Sequence, residues 1–203
     1  MTNFIPINLA VEDQLSETVV REILKQSQRP FVIGNCYSCG GYGYLKKNIN
    51  GFNNSAKGTP FFVLTDLDRG ECPLELIEEW LSYSKHPNLL FRIAVREVEA
   101  WLFADREAFA NFLGIRVQLI PDPVDQIDDP KRLLIHLASQ SKNRELREAI
   151  VPSPRSTSQI GKGYNYTLNQ FVTSYWRMEV AIQSSPSLKR TVNAIMQFNP
   201  TWQ

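Results

Sequence analysis

The chain has 203 residues, 43% apolar and 21% charged, with a formal net charge of +1. That is the composition of a globular domain with room for a sizeable core, and it excludes a partner gripped by the field of the whole molecule, so a polyanion must be met by a local patch. No apolar run is long enough to span a bilayer. "MTNFIPINLAVEDQ" lacks the basic start and small-residue cleavage site of a secretory signal, and three cysteines suit a reducing compartment, so a cytoplasmic protein with no membrane association is expected.

In chain order, "FIPINLAV" (4–11) reads as a strand, and "QLSETVVREILKQ" carries Leu15, Val19 and Ile23 at helical spacing. "RPFVIGN" (29–35) is a second strand, followed by a glycine-rich stretch and a short helix at "YLKKNI". "TPFFVLT" (59–65) is the third strand and the most apolar. "PLELIEEWLSYS" (73–84) is a helix with Pro73 at its start, where a missing N–H is harmless. "NLLFRIAV" (88–95) is the fourth strand, running into "EVEAWLFADREAFANFLG".

The second half changes character. "LIPDPVDQIDDPKR" is a loop closing on Asp129 as a helix N-cap with Pro130 at the first helical position, and "RLLIHLASQ" and "RELREAIV" follow as helices. "VPSPRSTSQIGKGYNY" (151–166) is the clearest loop. Beyond it Leu168, Phe171, Val172 and Tyr175 share a helical face, and Ser185-Pro186 opens a last helix. Alternating strands and helices predict an α/β fold: a mainly parallel four-stranded sheet flanked by helices, with a helical C-terminal half. Residues 1–105 form the α/β core and 106–203 a helical extension packed on it, or the two make one compact domain.

Acids cluster at the strand ends, where such sheets bind ligands. Glu12 follows the first strand, Asp66 and Asp68 the third, Glu97 and Glu99 the fourth. Side chains at i and i+2 on an extended chain point the same way, so Asp66 and Asp68 must share a neutralising partner: solvent, a salt bridge or a metal. Mg²⁺ and Mn²⁺ want carboxylate oxygens, and if the first and third strands are adjacent, Glu12 completes a ligand set with Asp66 and Asp68. Glu97 is a further candidate ligand; if a helix starts there, Glu97 and Glu99 diverge by about 200°. Arg96 is a candidate partner for those carboxylates, and Trp101 is read as core. Lys46, Lys47 and Arg69 are candidate phosphate contacts, with Gly40, Gly41 and Gly43 as a flexible loop beside the site; a plain turn before a solvated basic helix is the competing reading. Cys36 and Cys39 have zinc-ligand spacing, but no second pair completes four ligands. "QIGKGYNY" offers N–H groups to an anion but does not match a Walker loop.

Glu12 in "AVEDQLSE" with Asp66 and Asp68 in "LTDLDRGE" resembles the Toprim fold of topoisomerases, primases and overcoming-lysogenization-defect nucleases, where a glutamate after the first strand and Asp-x-Asp after the third define the site. More narrowly, "VEDQLSETVVREIL", "CGGYGYLKK", "GTPFFVLTDLDR", "HPNLLFRIAVREVEAWLFADRE", "AIVPSPRSTSQIGKGYN" and "SPSLKR" resemble a prokaryotic Toprim-like family described as a domain of unknown function. The resemblance implies a Toprim-like fold and a Mg²⁺- or Mn²⁺-dependent nuclease or phosphodiester hydrolase using Glu12, Asp66 and Asp68. It also implies a nucleic-acid substrate, a separate ATPase partner and a role in defence or DNA repair. Asp13 replaces the glycine usual after the Toprim glutamate, so either the loop takes another path or Asp13 adds a ligand. Two readings compete: a non-catalytic binding module on the same fold, and a phosphatase with Asp66 as nucleophile, whose motif normally sits on the first strand.

Overall fold

The computed structural model describes residues 4–38 and 40–202. Strands β1 (Ile5–Val11), β2 (Phe31–Tyr37), β3 (Phe61–Asp66) and β4 (Leu89–Ala94) form one all-parallel sheet in the order β2-β1-β3-β4. The first and third strands are therefore neighbours, with Val11 opposite Leu64, and Asp66 lies opposite Ala94 of β4.

Period-two alternation splits each strand between two apolar layers. Ile7, Leu9, Val11, Phe62, Leu64 and Leu90 face one layer, while Ala10, Phe61, Val63, Leu89, Phe91 and Ile93 face the other. A strand buried on both faces reads as an unbroken apolar run, which is why "FFVLT" is the oiliest segment. The second layer is closed by α2 (Gly41–Ser55) and α3 (Pro73–Trp80). The first is closed by α1 (Gln14–Gln26), α4 (Val98–Phe103), α5 (Arg106–Leu113) and the helices of the C-terminal half. These are α6 (Pro130–Ser139), α7 (Arg144–Ile150), α8 (Tyr164–Ser174), α9 (Met178–Ala181) and α10 (Pro186–Gln197). Their apolar residues, from Leu134 to Phe198, join the same cluster as Ile7 and Leu15.

Polar ties lock the halves together. The fully buried Asp105 caps α5 and takes the Arg177 guanidinium on both oxygens, at 2.9 and 2.7 Å. Trp101, buried as expected, donates its indole N–H to Ser187 Oγ at 2.8 Å. Asp129 and Ser185 are the N-caps of α6 and α10, each with proline next, as their sequences announce.

Two helices differ from the sequence reading: the one from Pro73 ends at Trp80 instead of residue 84, and the one after β2 starts earlier and runs longer. The glycine-rich stretch is not a loop: α2 starts at Gly41 and runs fifteen residues. Low propensity is overridden by burial of Leu45, Ile49 and Phe52, spaced along one face. The stretch after β4 forms two helices, separated where the Asp105 side chain turns to cap α5.

Candidate acidic site at the strand ends

The acids meet beyond the carboxyl ends of β1, β3 and β4. Glu12 does not cap the helix that follows it. Its Oε1 instead accepts the Thr65 hydroxyl and, at 2.9 Å, the Asp66 N–H, riveting the end of β3 to β1. Asp13 is the cap of α1, accepting the Ser16 N–H at 2.8 Å. That gives the position after Glu12 a structural role for an acid where the usual Toprim pattern has glycine.

Asp66 Oδ1 accepts the Val98 N–H at 3.0 Å, so the third strand's acid holds the first turn of α4. Asp68 is exposed and left-handed (φ 49°), and the half-buried Arg96 after β4 is left-handed too (φ 54°). Such backbone costs about 1–2 kcal/mol in a non-glycine residue, least for Asp and Asn. The two loops are bonded to each other: Asp68 N–H donates to Arg96 O at 2.8 Å. The Arg96 guanidinium returns to Asp68 O (3.1 Å) and Gly70 O (2.9 Å), not to Glu97 or Glu99 as its position in the sequence suggested. It therefore shapes the loop that presents Asp68.

Glu97 is the N-cap residue of α4, and both its oxygens are engaged from α6. Oε2 accepts the Lys131 N–H at 2.8 Å and Oε1 lies 3.6 Å from the Lys131 ammonium. Glu99 is buried, accepts the Tyr164 hydroxyl on Oε1 at 2.8 Å, and lies 3.5 Å from the same ammonium; its Oε2 is buried without a hydrogen-bond partner. Sequence reading missed Lys131 and Tyr164, which arrive from elements 32 and 65 residues beyond Glu99.

Crowding sets the electrostatics. Burial raises the Glu12 carboxyl above its ordinary range, and the charges of Asp68 and Asp13 add to this against the Thr65 and Asp66 hydrogen bonds. Burial, then Glu99, Glu12 and Asp13, hold Asp66 well above its own. Burial also raises Glu99, although Lys131 opposes it. Burial works against the Lys131 charge, but Glu99, Glu97 and Asp66 outweigh it and keep the ammonium protonated.

A cleft of about 830 Å³ opens beside the acids, walled by Asp68 and Arg69 on one side and by Lys131, Arg132 and Gln159 from the helical half on the other. A larger cavity of about 1020 Å³ lies between α5, α7 and α8, lined by none of the rim acids. Lys46 is exposed and ion-paired to Glu79 of α3 at 2.6 Å, and Lys47 is exposed on α2. The glycines of "QIGKGYNY" do not present their N–H groups to an anion, because Gly161 and Gly163 donate to Ile150 O (2.9 Å) and Ala149 O (3.0 Å). Cys39 lies outside the described residues; burial and Glu17 push the Cys36 thiol up to about 11, away from reactive thiolate behaviour.

The donor chemistry of this rim suits a hard divalent cation: carboxylate oxygens from neighbouring strand ends, with one buried oxygen unpartnered. Among the described residues, no three His, Cys, Asp or Glu side chains are arranged to hold an ion as they stand. Among the described residues no helix is long and apolar enough to cross a membrane. No curated protein and no solved structure matches the chain. The family model described as Domain of unknown function (DUF4276) matches residues 11–195, and the chain belongs to that family.

Proposed function

We propose that the chain is a divalent-cation-dependent phosphodiester hydrolase acting on nucleic acid, on a Toprim-like sheet. One observation carries the reading: Glu12 and Asp66, 54 residues apart, are in direct contact at adjacent strand ends, in a rim whose carboxyls crowd above their ordinary range. Such a rim is relieved by protons or by a cation. Glu12, Asp66 and Asp68 would hold Mg²⁺ or Mn²⁺; Glu97, with both oxygens engaged by Lys131, positions α6 instead. Bound there, the cation would supply Lewis-acid stabilisation of the phosphodiester and an activated water. Arg96 fixes the turn carrying Asp68, and Arg69 and Arg132 line the cleft where a phosphate backbone would run. Lys46, paired with Glu79, and Lys47 on α2 take no part in this reading.

A non-catalytic binding module is the second reading, favoured by the lack of a closed three-ligand set among the described residues. Incubation with plasmid, single-stranded DNA and RNA in Mn²⁺ separates the two. The expected result is cleavage that EDTA stops and that Asp68→Ala lowers by at least ~100-fold, the upper end of what loss even of a supporting residue does. Cleavage indifferent to both would contradict the proposal. Mn²⁺ binding without cleavage, also when a separate ATPase partner is supplied, would favour the module.

A further inference from the structure

Among the described residues, the cation ion-paired to Glu97 and Glu99 comes from the helical half. Lys131 stands one residue after Pro130 at the start of α6, and its backbone N–H is fixed on Glu97 Oε2 at 2.8 Å. Its ammonium lies 3.6 Å from Glu97 Oε1 and 3.5 Å from Glu99 Oε1. Both separations exceed the roughly 2.7–2.9 Å of a direct charge-assisted hydrogen bond, so the ammonium bridges two carboxylates as a point charge. Asp66 lies within its electrostatic reach as well.

Glu99 carries the independent sign that this corner is a cation position. It is 1% exposed, its Oε1 already receives the Tyr164 hydroxyl, and its Oε2 is buried with no hydrogen-bond partner. A buried carboxylate oxygen left unpartnered is costly, and a nearby positive charge is what offsets it. Two carboxylates with a spare hard oxygen are donors a divalent ion would use.

We propose that Lys131 is a built-in cation: its ammonium fills, between Glu97 and Glu99, the place a second divalent ion would take. The rim therefore takes one divalent cation at the Glu12–Asp68 end, and that part alone rests on the function proposed above. The helical half thus supplies part of the site's charge, independent of metal supply, and the same residue anchors α6 through its backbone.

The test counts ions. Mn²⁺ bound per chain is measured by the loss of the free-ion paramagnetic resonance signal during titration, for the wild type, Lys131→Met, Lys131→Arg and Lys131→Met with Glu99→Gln. The expected result is one more ion on Lys131→Met than on the wild type. No gain is expected for Lys131→Arg, which keeps the charge, and the gain should be lost in the double variant, which lacks the carboxylate. Lys131→Met that folds only with Mn²⁺ present reports the same gain. An unchanged count, or a variant still unfolded at saturating Mn²⁺, would overturn the proposal. So would wild-type crystals with Mn²⁺ between Glu97 and Glu99 and the ammonium displaced. A wild type that binds no ion while Lys131→Met binds one would sink the hydrolase reading and leave this one standing.

Discussion

Asp66 carries both a structural hydrogen bond and a crowded charge. Its Oδ1 holds the Val98 N–H at 3.0 Å, a bond that either protonation state can make, while burial and the charges of Glu99, Glu12 and Asp13 raise its carboxyl well above the ordinary range. Glu12 and Glu99 are raised as well, burial being the main cause in each. A carboxyl whose folded pKa exceeds its unfolded one binds its proton more tightly when folded. Its stabilising contribution is full below the unfolded value and is lost as pH rises through the folded one. Ion-free protein should therefore lose this contribution as pH rises out of the ordinary carboxyl range and through the raised values of these groups, and the melting gain from Mn²⁺ should grow over the same window. Asp66→Asn keeps an oxygen for the Val98 N–H and removes the charge. It is expected to raise the ion-free melting temperature at neutral pH, by roughly 2–4 °C for each ~1 kcal/mol recovered, and to shrink the Mn²⁺ gain. An ion-free melting temperature lowered by Asp66→Asn would show that the charge is already compensated. At this scale the Asp-x-Asp pair and Glu12 are visible in the sequence because they flank apolar runs. Lys131 is not, since "DDPKR" displays a cap and a proline but nothing of Glu97, 34 residues earlier.

Elements were legible where period and punctuation agreed. α1 coincides with its sequence reading, and α6 and α10 begin at their Asp-Pro and Ser-Pro signals. α2 was illegible at its start because Gly41 and Gly43 weaken a helix that only its buried face secures. The loop 151–163 shows the converse, glycines whose purpose is packing. A Cβ on Gly161 would stand 2.2 Å from Ala149 O and 2.7 Å from the Ile150 carbonyl carbon, both backbone atoms at the end of α7. Gly161→Ala must push the loop off α7 and break the Gly161 N–H bond to Ile150 O. The expected loss is about 1–3 kcal/mol, measured by denaturant unfolding. Lys162→Ala, exposed between the two glycines, should change stability little. If Gly161→Ala were neutral in stability yet abolished polyanion binding, the loop would be an anion site after all.

The whole molecule brings together two halves that the sequence presents as unlike. The parallel sheet followed from strand–helix alternation, and the adjacency of β1 and β3 is what turns separate acids into one rim. The helical half had no such rule to place it. Its position depends on the pair between buried Asp105 and Arg177, the Trp101–Ser187 bond and the shared apolar layer, contacts that join residues 72 and 86 positions apart. Through that placement the helical half lends Lys131 to the acids and walls the cleft with Arg132 and Gln159. The most direct test of the central claim is anomalous diffraction at the manganese edge from wild-type crystals at saturating Mn²⁺. The expected result is a single peak beyond the ends of β1 and β3, ligated by carboxylates of Glu12, Asp66 or Asp68, with the Lys131 ammonium still between Glu97 and Glu99. A map without any peak at that rim would contradict the account.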